Sequence, residues 1–171
     1  MYGMHGKADV GDQAPGFRAQ DVTYHDINLV DYRGRNDLVL FFYSSSQCQA
    51  CREEIMQMAK KFDDIVRLDG DVIVIGTDGF VEARDMALDL HLPFHVISDP
   101  GGRISQNYGV YDNAAETASP ALFLIDKNGV VRYRKMIREP ADVTPADEIV
   151  DRLRGMGTSH GESAIRSIQL D

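Results

Sequence analysis

The chain has 171 residues, 43% of them hydrophobic, a net charge of −9 and two cysteines. This length suits a single domain with its own core, and the acidity speaks against the basic face that nucleic acids or anionic lipids require. No stretch is long enough to span a membrane and residues 1–16 hold no apolar leader run, so a cytoplasmic location is expected.

In chain order, residues 1–9 are small, polar and expected to be flexible. Phe17–Val22 and Ile27–Val30 are predicted as two short strands, forming an N-terminal hairpin. Asp37–Tyr43 is nearly continuous apolar sequence, the pattern of a strand buried on both faces of a parallel sheet. Ile55, Met58, Ala59, Phe62 and Val66 recur at helical spacing and predict one amphipathic helix. Val72–Ile75 repeats the buried-strand pattern and stops at Gly76. A second helix is predicted over Val81–Leu90, with Ala83, Ala87 and Leu90 inward. His95–Ser98 reads as a strand, Asp99–Gly102 as a turn and Arg103–Tyr108 as a short helix. Ala121–Ile125 and Val130–Tyr133 are strands joined by Asp126-Lys127-Asn128-Gly129, a hairpin signature. Thr144 as N-cap and Pro145 at the first helical position start a last helix with Ala146, Ile149, Val150 and Leu153 on one face. Gly155 and Gly157 are expected to end it, leaving 156–171 as a tail of a single domain spanning 1–171. The order of elements implies an α/β layered domain with a mixed sheet.

The cysteines, Cys48 and Cys51, sit three apart between a buried strand and a helix. So small a loop adds little chain-entropy stabilisation, which favours chemistry over structure as their purpose. At a helix start the free N–H groups and the dipole favour a thiolate, the reactive form. Arg52 either adds positive charge there or points to solvent. Ser44-Ser45-Ser46 either donates hydroxyls to a thiolate or forms an exposed loop, the second being favoured. A zinc site would need four ligands, and His5, His25, His91, His95 and His160 have no helical ligand spacing, so no metal is expected.

Val10–Phe17, Leu29–Gly34, Ser98–Gly102, Tyr108–Val110 and Ser119–Gly129 form an ordered set of segments. Taken in that order they resemble the alkyl hydroperoxide reductase / thiol-specific antioxidant family of the thioredoxin-like superfamily, which includes the peroxiredoxins. The resemblance implies a thioredoxin-like fold: a central mixed β-sheet flanked by helices, with an N-terminal hairpin and an extra β-α unit after the active-site helix. It also implies two competing readings. In peroxiredoxins a proline, a threonine and the peroxidatic cysteine follow the strand; counting from Tyr43, these positions hold Ser44, Cys48 and Cys51. Glu54 matches the glutamate that follows, but the arginine that polarises peroxide is replaced by Pro120. In the thioredoxin-like reductases the same two places hold the first cysteine and a cis-proline. That reading makes Cys48 the nucleophile and Cys51 the resolving thiol. It makes Ser119–Pro120 a cis bond, with the Ser119 backbone pairing with a bound peptide. Gln47 stands where a tryptophan is usual, and Gln49-Ala50 is the inner dipeptide that helps set the redox potential.

The leading expectation is a dithiol–disulfide oxidoreductase acting on a protein or low-molecular-weight disulfide or thiol partner. Its rival is an atypical peroxidase, with Cys51 attacking hydroperoxide and Cys48 resolving. A non-enzymatic redox switch is the third reading. No cofactor is required by any of them.

Overall fold

The computed structural model describes residues 8–157. Strands β1 (Arg18–Gln20) and β2 (Asp26–Asn28) form an antiparallel hairpin ahead of a 3-10 turn at Leu29–Tyr32. They are followed by β3 (Asp37–Tyr43), α1 (Gln49–Lys60), α2 (Phe62–Arg67), β4 (Gly70–Gly76), α3 (Phe80–Asp89) and β5 (His95–Ser98). Next come α4 (Arg103–Asn107), β6 (Tyr111–Asp112), β7 (Thr117–Ala118), β8 (Ala121–Ile125) and β9 (Val131–Met136). A last helix, α5, begins at 146 and runs to 157, where the described residues end.

The central sheet has five strands in the order β5-β4-β3-β8-β9. β3, β4 and β5 run parallel, and β8 and β9 are antiparallel additions on the other side. This is the mixed sheet that the order of elements implies. All seven residues of β3 are buried, because helices or the N-terminal hairpin cover both of its faces. Val39, Phe41 and Tyr43 face a core shared with Ile55 and Met58 of α1, Ala83 and Met86 of α3, and Ile149 and Leu153 of α5. Leu38, Leu40 and Phe42 face the other core, with Ile27, Ile104, Tyr108 and Phe123. Each such side chain contributes about 1.5–3 kcal/mol on burial, which is why the run is continuous rather than alternating. The turn after β8 follows its sequence closely. Asp126 Oδ1 accepts N–H bonds from Asn128 and Val130 (2.9 and 3.0 Å), and Gly129 takes the positive φ of 81° that the turn requires.

Three expectations need correction, and one element was not expected. The helix predicted through Val66 breaks at Lys61, whose backbone leaves helical geometry (φ −120°, ψ 24°). The break turns Phe62 against Phe94 and Ile65 into the core, leaving Val66 half exposed. The helix at the end passes through Gly155, since Met156 is buried and core contact overrides glycine's poor helix propensity. The hairpin β6–β7 carries no sequence signal strong enough to predict it. Ala8 and Asp9 are anchored rather than flexible: Ala8 is fully buried, and Arg134 donates to the Ala8 carbonyl and the Asp9 carboxylate. The rest of the expected flexible start and tail, with His5 and His160, lies outside the described residues.

Candidate redox-active site

Tyr43, the last residue of β3, pairs with Gly76, the last of β4. Both strands therefore end at one edge, the usual place for a site in a parallel sheet. β8 runs the other way and pairs Ala121 with Phe42, so Ser119 and Pro120 come to the same edge from the opposite strand direction. Into this corner the chain sends Ser44–Gln47 and then α1. Cys48 is the residue that caps α1, and its Sγ accepts the Cys51 N–H at 3.2 Å. A sulfur in that position feels the positive end of the helix. Cys48 and Cys51 are joined by a disulfide, with Cα atoms 5.2 Å apart. Cys51 is fully buried, whereas Cys48 is partly exposed.

The three serines form a loop, but not the exposed one favoured: Ser44 and Ser45 are half-buried, Ser46 is buried, and the loop is tightly held. Thr77 Oγ1 donates to the Ser44 carbonyl (2.8 Å) and accepts the Ala118 N–H (3.0 Å), tying the cysteine loop to the segment before Pro120. The Cys48 N–H donates to the Ser45 carbonyl (3.1 Å), and the Gln47 N–H to Ser45 Oγ (3.2 Å). The Ser46 N–H donates to Asp78 Oδ2 (2.6 Å), and the Ser46 carbonyl accepts from Arg52 Nη1 (3.2 Å). Ser44 Oγ lies 3.8 Å from Cys51 Sγ, and with that sulfur in a disulfide only the hydroxyl can donate.

Arg52 takes neither of its expected roles. Its guanidinium spans from the Ser46 carbonyl to Asp89 Oδ2 of α3 (3.3 Å), bracing the loop instead of facing the sulfurs or solvent. Gln49 Nε2 donates to Glu53 Oε1 on the outer face of α1, and Ala50 packs at the edge of the core. Glu54 is fully buried one turn after Cys51. Its Oε1 accepts the Thr144 N–H at 2.7 Å, so it holds the start of α5. Burial pushes its carboxyl above the ordinary glutamate range, opposed by the Thr144 hydrogen bonds and by Lys135. Thr144, expected as an N-cap, is itself gripped: its hydroxyl also accepts from Lys135 Nζ (3.3 Å), while Gln57 Oε1 takes the Ala146 N–H (2.9 Å).

The cis Ser119–Pro120 bond is corrected. No peptide bond is cis among the described residues. The segment stays extended from β7 into β8, where the ordinary trans form needs no compensation. The Ser119 N–H donates to the Val110 carbonyl (2.6 Å), and the Pro120 carbonyl accepts the Ile137 N–H (2.9 Å). The Ser119 N–H, one of the two backbone groups that could pair with a bound peptide, is therefore already occupied.

Thr77 and Asp78 were missed as candidates for the site. The available signal was their place directly after a buried parallel strand that neighbours the cysteine strand. Among the described residues no three histidine, cysteine or carboxylate side chains converge as a metal site, and no helix is long and apolar enough to cross a membrane.

A family model described as AhpC/TSA family matches residues 10–134. Alkyl hydroperoxide reductase E of Mycobacterium tuberculosis is 27% identical over 137 residues, covering 79% of this chain and 89% of the relative. Peroxiredoxin-2 of Mus musculus is 32% identical over 139 residues, 74% of this chain and 69% of the mouse protein. Among solved structures, peroxidoxin BcpB from Mycobacterium tuberculosis superposes with a TM-score of 0.75 at 20% identity, over 86% of this chain and 97% of its own. Enterococcus faecalis AhpC gives 0.74 at 20% identity, over 85% and 90%. At that identity the structures establish a shared thioredoxin-like fold.

Proposed function

The chain belongs to the AhpC/TSA family and is a thiol-based oxidoreductase, and from that premise we propose that it reduces hydroperoxides through Cys51 and Cys48. The observation that carries this reading is the family match over residues 10–134, to relatives named alkyl hydroperoxide reductase and peroxiredoxin; the resemblance gives Cys51 the place of the peroxide-attacking cysteine, and the Cys48–Cys51 disulfide supplies its partner. The Cys51 thiolate attacks one peroxide oxygen. The O–O bond breaks, and the other oxygen leaves as an alcohol or water after taking a proton. Cys51 is left as a sulfenic acid. Cys48 then attacks the Cys51 sulfur, forming the disulfide and releasing water. An external thiol reductant returns two electrons and two protons. Ser44 Oγ, beside Cys51 Sγ, is the hydroxyl donor in the place of the family's missing threonine and arginine.

This reverses the order expected from the sequence. The disulfide-reductase reading implied a cis Ser119–Pro120 bond, which the site does not have. One observation keeps that reading as the alternative. Cys48, not Cys51, is the accessible sulfur, and it receives the helix N–H.

Rapid mixing of the reduced protein with hydrogen peroxide separates the two. Thiol loss at least about tenfold faster than a free thiol at the same pH is expected, abolished by Cys51→Ser. Cys48→Ser is expected to leave a sulfenic acid that dimedone captures. A rate matching a free thiol, with Cys51→Ser trapping a mixed disulfide through Cys48, would assign disulfide exchange instead.

A further inference from the structure

The cysteine loop contains three consecutive serines, a sequence with little intrinsic stiffness. Yet Ser46 is 9% exposed and both of its backbone polar groups are held. On one side its N–H meets the Asp78 carboxylate at 2.6 Å, a short charge-assisted bond. On the other its carbonyl meets the Arg52 guanidinium at 3.2 Å. Both anchors are themselves fixed. The Asp78 carbonyl accepts from Ser98 Oγ (2.7 Å) at the end of β5, and the neighbouring Thr77 hydroxyl is bonded twice. Arg52 is held by Asp89 at the end of α3. Nothing in the peroxide chemistry requires this arrangement, and Asp78 touches neither sulfur through any hydrogen bond.

We propose that Asp78 and Arg52 are positioning residues for the Cys48–Cys51 couple, gripping the Ser46 N–H and carbonyl so that Cys48 Sγ stays over α1 and against Cys51. Holding one sulfur near the other raises its effective concentration, which favours the disulfide. Loosening the grip lets the loop wander and makes the pair easier to reduce. The inference rests only on the pair cycling between dithiol and disulfide, which both readings of function share.

The test is equilibration with glutathione, without peroxide. The protein disulfide takes two electrons and two protons from two glutathione molecules, which leave as glutathione disulfide. The dithiol fraction is read by alkylation and mass. Asp78→Ala is expected to shift the equilibrium constant toward the dithiol by at least about threefold. Asp78→Asn keeps an acceptor oxygen for the Ser46 N–H and is expected to return it to within about twofold of the parent. Arg52→Met is expected to shift it in the same direction as Asp78→Ala. A lower melting temperature with an unchanged constant would reduce these residues to structural supports and overturn the proposal. So would a shift toward the disulfide. If Asp78→Ala does not fold, Arg52→Met decides the matter by the same two outcomes. Slow reaction with peroxide would sink the peroxidase reading while leaving this constant untouched.

Discussion

Gly76 shows what a single missing atom does for the site. A Cβ there would collide with the Tyr43 ring, which occupies the space a side chain would need. Tyr43 is fully buried, and it is the residue from which the cysteine loop departs. Burial, with Asp78 nearby, pushes its hydroxyl well above the usual tyrosine range, so it stays protonated and its role is to pack. Gly76→Ala is expected to cost about 1–3 kcal/mol through overpacking, read from the urea unfolding midpoint. The glycine is visible in the sequence as the end of an apolar run. Its partner is not, because Tyr43 lies 33 positions earlier and meets it only through the β3–β4 register.

Among the elements, α1 does two jobs. Its first turn holds the cysteine pair, and its middle holds the beginning of α5 through Glu54 and Gln57. A helix start needs acceptors for its free N–H groups, and here one comes from another helix. Gln57→Ala is expected to destabilise the fold by about 1 kcal/mol, the usual range for losing a cap. A shifted urea midpoint with an unchanged slope would be the signature. Sequence periodicity identified the face of α1 that carries Ile55 and Met58 but ran the helix through Lys61. Hydrophobic spacing records which side chains are buried; it does not record a turn that re-aims the axis while keeping them buried. The same gap explains Arg52, whose partners Ser46 and Asp89 lie six positions before it and 37 after it.

Across the whole molecule, the N-terminal hairpin is fastened to the β5 edge of the sheet. The Val22 N–H donates to the Val96 carbonyl (2.9 Å), Tyr24 stacks on Phe80 at 5.4 Å, and Asp21 contacts His95 Nδ1 at 2.8 Å. Burial by itself would raise the pKa of Asp21. The hydrogen bonds from His95, the His25 N–H and Thr23 outweigh it and lower the value from 3.8 to about 2. A depressed acid stabilises the fold above its unfolded value and loses that contribution as pH falls through its folded value. About 2 kcal/mol should therefore disappear between pH 4 and pH 2. In Asp21→Asn the unfolding free energy should be lower at pH 6, and its gap from the parent should shrink below pH 4 and close only below about pH 2. A gap that does not change with pH would mean that Asp21 acts through packing alone.

What the sequence determined by itself is what short-range chemistry encodes. The seven buried residues of β3, the Asp126–Gly129 turn and the two cysteines at a helix start all follow from side-chain type and spacing. Only the tertiary structure decided what surrounds the pair. It brought Thr77 and Asp78 to the serine loop, gave Glu54 a partner 90 residues away, and kept Ser119–Pro120 trans with its N–H spent on Val110. The cause is physical: these contacts depend on strand register and on helices meeting across the sheet, and no local propensity carries that information.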